Sequence, residues 1–155
     1  LKETAKIYDL QNPGSKMSKS GESPAGILWL LDDDAALVKK VKSAVTDSLG
    51  VVAYDPVEKP GVSNLLSILS LLTGESVDAL VASFEGLQYG ALKGAVADAV
   101  VAAFAPIRTR TLELLDDPAE LDRLLAINAA RAEEIAEATL RRVYDAVGFL
   151  PRARA

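Results

Sequence analysis

The residues best suited to chemistry lie in one short polar segment, Lys16 to Ser20, which reads KMSKS. It sits within residues 15–25, a stretch rich in serine, glycine and lysine without a hydrophobic period, so we predict a solvent-facing loop. Lys16 and Lys19 are three residues apart, and their ammonium groups can both face one triphosphate. The hydroxyls of Ser18 and Ser20 add hydrogen-bond donors. The segment predicts phosphate binding; the alternative is a polar loop whose lysines are only solvated.

Two residue types are missing altogether. The chain contains no cysteine and no histidine. A Ser-His-Asp triad, a zinc cluster of histidines or cysteines, and a thiolate nucleophile therefore cannot be built from this chain alone, and we assign no metal ligand. Any catalysis that the chain supports depends on Lys, Arg, Asp, Glu, Ser and backbone groups.

The net charge is −5 at pH 7, so the chain as a whole is no polycation that would bind nucleic acid indiscriminately. All arginines lie from Arg108 onward, and those near the end form a candidate positive surface: Arg141, Arg142, Arg152 and Arg154. An ordinary solvated helix face explains the same pattern equally well.

The first residues hint at a sheet. Ile7, Tyr8 and Leu10 predict a short strand over Lys6–Leu10, which the turn signal Asn12-Pro13-Gly14 ends. The apolar run Ile27–Leu31 is either a last strand or a buried connector. Because one strand is not stable by itself, we interpret residues 1–31 as the edge of a larger α/β domain.

The rest of the chain is predicted to be helical, which makes the fold class mainly α. Acidic residues Asp32–Asp34 suit the start of a helix that carries apolar residues as far as Val45. The segment Val62–Thr73 has almost no polar face and should be buried. The remaining helices are predicted over Ser76–Phe84, over Gly90–Leu115, and from Asp117 to Gly148.

The start of the last helix reads as a capping box, with Asp117 at the cap, Pro118 at the first helical position and Glu120 reaching back. Apolar residues on this helix, among them Leu124, Leu125, Ile135 and Leu140, are expected to face a core. We thus divide the chain into residues 1–31, a helical domain at 32–148 and a tail at 149–155.

No segment is long or apolar enough to be predicted as a membrane span, and no membrane partner is expected. The N-terminus lacks the apolar region of a secretory signal and begins with Leu1 rather than methionine. We interpret the chain as cytosolic and N-terminally incomplete.

KMSKS is the signature loop of class I aminoacyl-tRNA synthetases, and here it follows a predicted strand, as it does in that family. Three further segments resemble stretches typical of bacterial tryptophanyl-tRNA synthetases. They are Lys39–Ser48, Tyr54–Pro56, and Lys59–Leu66 followed by Thr73-Gly74. The chain therefore resembles the C-terminal part of such an enzyme over essentially its whole length.

This resemblance implies an ATP-dependent tryptophan–tRNA ligase that works as a cytoplasmic homodimer, with ATP as substrate, Mg²⁺ accompanying it, and tRNA(Trp) and tryptophan as partners. It implies that Lys16 and Lys19 are catalytic and that the motif lines the triphosphate: Lys16, Met17, Ser18, Lys19 and Ser20. Ile7 would contact the adenine through its backbone. The helical domain would bear on the tRNA anticodon region, where Arg141 and Arg142 are candidates for RNA contact.

The family's other motifs are missing. The chain has no HIGH-like motif, no glycine-rich first crossover and no recognisable tryptophan pocket, so it should not aminoacylate by itself. Two alternatives stay open: a separate, non-catalytic helical module for dimerisation or RNA binding, and a synthetase for tyrosine or another class I substrate.

Overall fold

The structure is a computed structural model that describes residues 6–20 and 23–150. Within these ranges the regular structure is helical, without a named strand, which confirms the mainly α fold class. The α-helices are α1 (Asp34–Lys42), α2 (Pro60–Thr73), α3 (Val77–Ser83), α4 (Tyr89–Asp116) and α5 (Pro118–Val147), and a short 3₁₀ turn occupies Pro24–Gly26.

The predicted strand over Lys6–Leu10 is wrong. Its backbone makes only an isolated antiparallel bridge between Tyr8 and Lys16, because the described residues offer no strand to extend the pairing. The run Ile27–Leu31 is a connector rather than a strand, and only its first residue is buried: Leu31 is 53% exposed. The residue types give Lys6–Leu10 a local preference for extended backbone, but a sheet forms only where a second strand is available to pair with it.

Side-chain caps start the helices where the sequence places them. Asp33 accepts a hydrogen bond from the Ala36 amide at 2.7 Å at the head of α1, and Ser76 caps α3 through the Ala79 amide at 3.2 Å. These oxygens satisfy amide groups that a helix end leaves unpaired. Helix α1 ends at Lys42, one turn earlier than Val45 suggested.

The predicted capping box at α5 is half right. Asp117 does accept from the Glu120 amide at 3.1 Å. The Glu120 carboxylate does not reach back to Asp117, because it forms a two-pronged ion pair with Arg123 at 2.6 and 2.9 Å. A guanidinium one turn along the helix offers two charged donors, which is stronger than one neutral amide. Gly148 ends the helix with φ +73°, as predicted.

The chain divides into two compact units, Leu1–Thr109 and Arg110–Ala155. The first unit has a core built around α2, where every residue from 61 to 69 is buried, as predicted. Fully buried residues from the preceding segment, α1 and α4 pack in the same cluster. They are Leu10, Leu37, Val41, Leu92, Val96 and Val100.

The second unit contains the last turns of α4 and all of α5. No residue of α5 is buried, so the expectation that its apolar residues face a core is wrong: Ile135 is 82% exposed and Leu125 58%. One helix and the end of another are too few elements to enclose a core. The contacts of this unit include exposed ion pairs one turn apart, such as Arg141–Glu137. They also include an edge-to-face contact between the rings of Tyr144 and Phe149, whose centroids are 5.8 Å apart.

Helix α4 is long and apolar enough, by length and composition, to cross a bilayer, and α2 with α3 would pass the same criterion only as one bent pair. A core helix of a water-soluble protein meets this criterion too. Leu92, Val96, Ala97 and Val100 of α4 are buried in the core of the first unit, but only 22% of the apolar window is buried. Core packing therefore explains part of the apolar composition of α4, and the prediction that no segment reaches the length and composition of a span does not hold for this helix.

Gly61 gives a direct test of this packing. A Cβ added there would lie 2.0 Å from the backbone oxygen of Val45, so Gly61→Ala should force α2 away from its neighbour and destabilise the fold by about 1–3 kcal/mol. The matched control is Gly94→Ala in α4, where a Cβ meets nothing within 4 Å. It should stabilise by up to about 1 kcal/mol through helix propensity. Chemical denaturation measures both; equal effects would contradict the packing.

Candidate functional site

The polar motif ends a small hairpin-like turn. The Met17 amide donates to the Ile7 carbonyl at 3.0 Å, and the Asp9 amide donates to the Ser15 carbonyl at 2.9 Å. These two bonds bracket the Tyr8–Lys16 bridge and set the two side chains opposite each other. The start of the motif is therefore in fixed register with residues 7–9.

The other edge of residues 7–9 is held by a side chain. Asn64 of α2 accepts from the Tyr8 amide at 2.9 Å and donates to the Tyr8 carbonyl at 2.8 Å. Two residues on, the Leu10 amide donates to the Gly26 carbonyl at 2.9 Å and the Leu10 carbonyl accepts from the Val45 amide at 2.8 Å. These partners satisfy backbone groups that a sheet would otherwise pair.

A buried carboxylate shapes the turn before the motif. Asp9 is 7% exposed, and its oxygen accepts from the amides of Gln11 and Asn12 at 2.8 and 3.0 Å. Gly26 leaves the room for it, since a Cβ at that position would lie 1.9 Å from the Asp9 oxygen. The packing of glycine against carboxylate fixes where the chain returns after the motif.

The side chains of the motif divide into one anchor and four polar groups. Met17 is half-buried and packs against the core of the first unit. Lys16, Ser18, Lys19 and Ser20 are exposed, and the Ser18 and Ser20 hydroxyls lie 3.0 Å apart. Within the described part of the chain neither lysine forms an ion pair. Two free ammonium groups and two hydroxyls on an anchored base suit a polyphosphate ligand.

The motif borders an open cleft. Met17, Ser18 and Lys19 line it on one side, and the connector Ile27–Asp32 lines it on the other. Lys40 holds this connector by donating to the Ile27 carbonyl at 2.9 Å and to the Asp32 carboxylate at 2.5 Å. Ligand-sized space thus exists beside the lysine-bearing turn.

Ile7, the residue expected at the adenine, lies at the base of the motif. It is half-buried against the core, and its carbonyl already accepts the Met17 amide. The carbonyl oxygen has a second lone pair, so this bond leaves one acceptor position. The adenine contact stays a prediction.

The candidate RNA-contacting arginines lie on α5. Arg141 pairs with Glu137 at 2.8 Å, and Arg142 donates to the Thr139 hydroxyl at 3.3 Å. Arg152 and Arg154, the other members of this surface, lie outside the described residues. RNA contact by this surface stays a prediction.

Sequence reasoning missed a polar cluster outside the motif. Asp47, Lys59 and Tyr89 meet there: the tyrosine hydroxyl donates to Asp47 Oδ1 at 2.5 Å, and Lys59 donates to that oxygen and to the Tyr89 hydroxyl, each at 3.1 Å. The other carboxylate oxygen, Asp47 Oδ2, is buried and has no hydrogen-bond partner among the described residues. The cluster ties the loop after α1 to the starts of α2 and α4. No local signal marks it, since its members are far apart along the chain.

Opposing effects set the pKa of Asp47. Burial by itself raises the pKa, but hydrogen bonds from Tyr89, the Leu49 amide and Lys59, together with the Lys59 charge, outweigh it and hold the pKa below the usual 3.8. The Lys59 pKa is raised above 10.5, first by its hydrogen bond with Tyr89 and then by Asp47. Both groups are therefore charged at neutral pH.

The first 105 residues place the chain in a known family. Residues 3–105 match the family model described as tRNA synthetases class I (W and Y). This match covers about two thirds of the chain, and the chain therefore belongs to the class I aminoacyl-tRNA synthetase family.

Individual relatives narrow the likeness to the tryptophan enzymes. The chain is 58% identical to a tryptophan–tRNA ligase of Leifsonia xyli over 99% of its length, which is 46% of that protein. It is 57% identical to the ligase of Corynebacterium glutamicum over 97% of its length and 44% of that protein. The resemblance drawn from the sequence is confirmed, and the chain spans less than half the length of these relatives.

Solved structures agree. The tryptophanyl-tRNA synthetase of Mycoplasma pneumoniae superposes with a TM-score of 0.83 at 31% identity, covering 97% of this chain and 45% of that one. That of Campylobacter jejuni, described in complex with ADP and tryptophan, gives 0.67 at 28% identity over 94% of this chain and 44% of that one.

Asp47→Asn tests the cluster of Asp47, Lys59 and Tyr89. A carboxylate with a lowered pKa adds stability that is present above its unfolded pKa and is lost as pH falls through the folded value. The variant should melt below the parent chain from neutral pH down to about pH 5, and the gap should close in more acidic solution. The control is Asp98→Asn, an exposed position on α4. Thermal melts across this range decide; a gap that ignores pH would count against the charged cluster.

Proposed function

We propose that this chain is the ATP-handling and helical segment of an ATP-dependent tryptophan–tRNA ligase. The observation that carries the proposal is the pair of exposed ammonium groups on Lys16 and Lys19, which form no ion pair with any described residue and extend from an anchored turn. The chain that holds them is 57–58% identical to such ligases. The motif Lys16–Ser20 is the site, and residues 1–31, 32–148 and 149–155 remain our division into catalytic-domain edge, helical domain and tail.

The chemistry follows from charge. When the tryptophan carboxylate attacks the α-phosphate of ATP, pyrophosphate leaves and negative charge grows on the β- and γ-phosphates. Lys16 and Lys19 meet that charge as it develops, and the hydroxyls of Ser18 and Ser20 donate to phosphate oxygens. Groups aimed at charge that appears only in the transition state raise the rate rather than the affinity. Ile7 contacts the adenine through its backbone, and Met17 keeps the turn seated on the core.

Magnesium enters as part of the substrate. The described residues hold no group of three or more acidic side chains that could bind a metal ion, and the motif itself has no carboxylate. These residues do not fit a protein-held Mg²⁺ site. Any Mg²⁺ would arrive on the ATP phosphates, which are good oxygen ligands for it.

The second part of the proposal concerns the helical domain, residues 32–148, and its binding of tRNA. We assign it to tRNA(Trp), on the anticodon side, with Arg141 and Arg142 as candidate phosphate contacts, and we expect a cytoplasmic homodimer. Support comes from relatives named tryptophan–tRNA ligase. The absence of any buried residue on α5 favours a partner for this helix. The same feature is what a separate dimerisation or RNA-binding module would show, which keeps that alternative in view.

Lys19→Ala tests the assigned role. A complete ligase is made by replacing the matching segment of the Corynebacterium glutamicum relative with this chain. In that chimera the variant should lower tryptophan-dependent ATP–pyrophosphate exchange by about 100-fold while tryptophan binding stays unchanged. Lys42→Ala, an exposed lysine at the end of α1, is the control and should change little. An unchanged rate for Lys19→Ala would refute the phosphate role.

The 155-residue chain alone should show no exchange, with tyrosine as the control amino acid. No tryptophan pocket is recognisable in its sequence, so we expect the attacking carboxylate to lack a binding site on this chain. Exchange above background, from a sample whose intact mass matches the chain, would show that the site is complete without further residues. Exchange by the chimera with tyrosine rather than tryptophan would move the assignment to the other branch of the family.

A further inference from the structure

The side chain of Asn64 in α2 bonds a backbone segment that is distant in the sequence. Asn64 is 4% exposed, and its amide group bonds both the N–H and the C=O of Tyr8, which lies 56 positions earlier in the chain. Both ends of the carboxamide are used on one residue, as a neighbouring strand would use its backbone. If the Asn64 carboxamide needed only a hydrogen-bond partner, a backbone carbonyl of its own helix could provide one.

The residue that Asn64 holds is the one that faces the motif. Tyr8 forms the bridge with Lys16, and the Ile7 carbonyl next to it accepts the Met17 amide. The order of contacts is α2, then Tyr8, then the first lysine of the motif. A shift of Tyr8 therefore moves the base from which Lys16 and Lys19 extend.

The neighbours of Asn64 on α2 act elsewhere. Ser67, equally buried at 4% exposure, donates to the Ser63 carbonyl within the helix. The Ser63 hydroxyl accepts from the Asp55 amide at 2.9 Å. Among the polar side chains of this buried stretch, Asn64 is the one bonded to residues 6–10 in the described structure.

We propose that Asn64 is a positioning residue for the phosphate-binding lysines. By bonding both peptide groups of Tyr8, it fixes the position of residues 7–9 against α2. Because residues 7–9 are bonded in turn to residues 15–17, this also fixes the point from which Lys16 and Lys19 reach the triphosphate. This role rests on the proposed function of the motif. In this role Asn64 acts through the Tyr8 backbone, which makes it a positioning residue rather than a catalytic one.

Asn64→Ala removes both bonds and leaves the part-buried N–H and C=O of Tyr8 without their side-chain partner. In the chimeric ligase, tryptophan-dependent ATP–pyrophosphate exchange should lose tenfold or more in kcat, since small displacements of catalytic groups are costly, with an unchanged KM for tryptophan. Ser67→Ala, on the same helix face at the same burial, should stay within about twofold of the parent rate. Circular dichroism and a melt confirm that each variant is folded.

Asn64→Asp separates positioning from plain destabilisation when it is assayed only where a melt at the same pH shows it fully folded. Its carboxylate still accepts from the Tyr8 amide but repels the Tyr8 carbonyl, whereas the protonated carboxyl can accept and donate as the amide does. Burial favours the neutral form and raises the pKa of such a group. The ratio of Asn64→Asp to parent rate should therefore rise as pH falls from 8 to about 6.

The outcomes are separable. If Lys19→Ala is impaired, and Asn64→Ala loses no more rate than Ser67→Ala while the Asn64→Asp ratio is flat with pH, the positioning role is refuted and the motif's role stands. If Lys19→Ala is unimpaired, the proposed function itself fails. Should Asn64→Ala not fold, the pH dependence of the Asn64→Asp ratio decides: a rising ratio supports the role and a flat one overturns it.

Discussion

Residues 7–10 lie outside a sheet, so their backbone groups need hydrogen-bond partners from other segments. The arrangement of the first unit supplies those partners. Buried peptide groups left unpaired cost about as much as a lost hydrogen bond each. Here the partners come from four directions: the turn after Asn12, the carboxamide of Asn64, the carbonyl of Gly26 and the amide of Val45. Because these partners lie on separate segments, satisfying residues 7–10 brings those segments together around Leu10, which is 1% exposed.

A second set of contacts, made by side chains and by close packing, stabilises the same unit. Asp47, Lys59 and Tyr89 join the loop after α1 to the starts of α2 and α4, and Gly61 lets α2 approach the Val45 backbone closely. Helix α2 is thus held by the close packing of Gly61 against Val45 and by the ion pair of Lys59 with Asp47 at its start. A rigid α2 is what allows a single amide on it to set the position of an otherwise exposed, lysine-rich turn. Rigid supports of this kind are what functional groups on loops generally need.

The sequence showed the helices well where the evidence is local. The apolar density of Val62–Thr73 indicated a buried α2, and Ser76 and Asp117 indicated where helices start. It failed where an element depends on something distant. The β-friendly Lys6–Leu10 has no neighbouring strand among the described residues, and the amphipathic α5 shows a face without showing what covers it. The KMSKS motif was readable because it is contiguous, whereas the Asn64 contact was not, since 56 residues separate its partners.

Amide hydrogen exchange of the chain, followed by NMR, tests most directly whether the motif stands on a fixed base. The amides of Tyr8, Leu10 and Met17 donate to Asn64, Gly26 and Ile7 respectively, so they should exchange far more slowly than the amide of Lys19 on the exposed turn. Slow exchange at all three, against fast exchange at Lys19, is the predicted result. Exchange at Tyr8 and Met17 as fast as at Lys19 would mean that the base is open in solution, which would contradict the account.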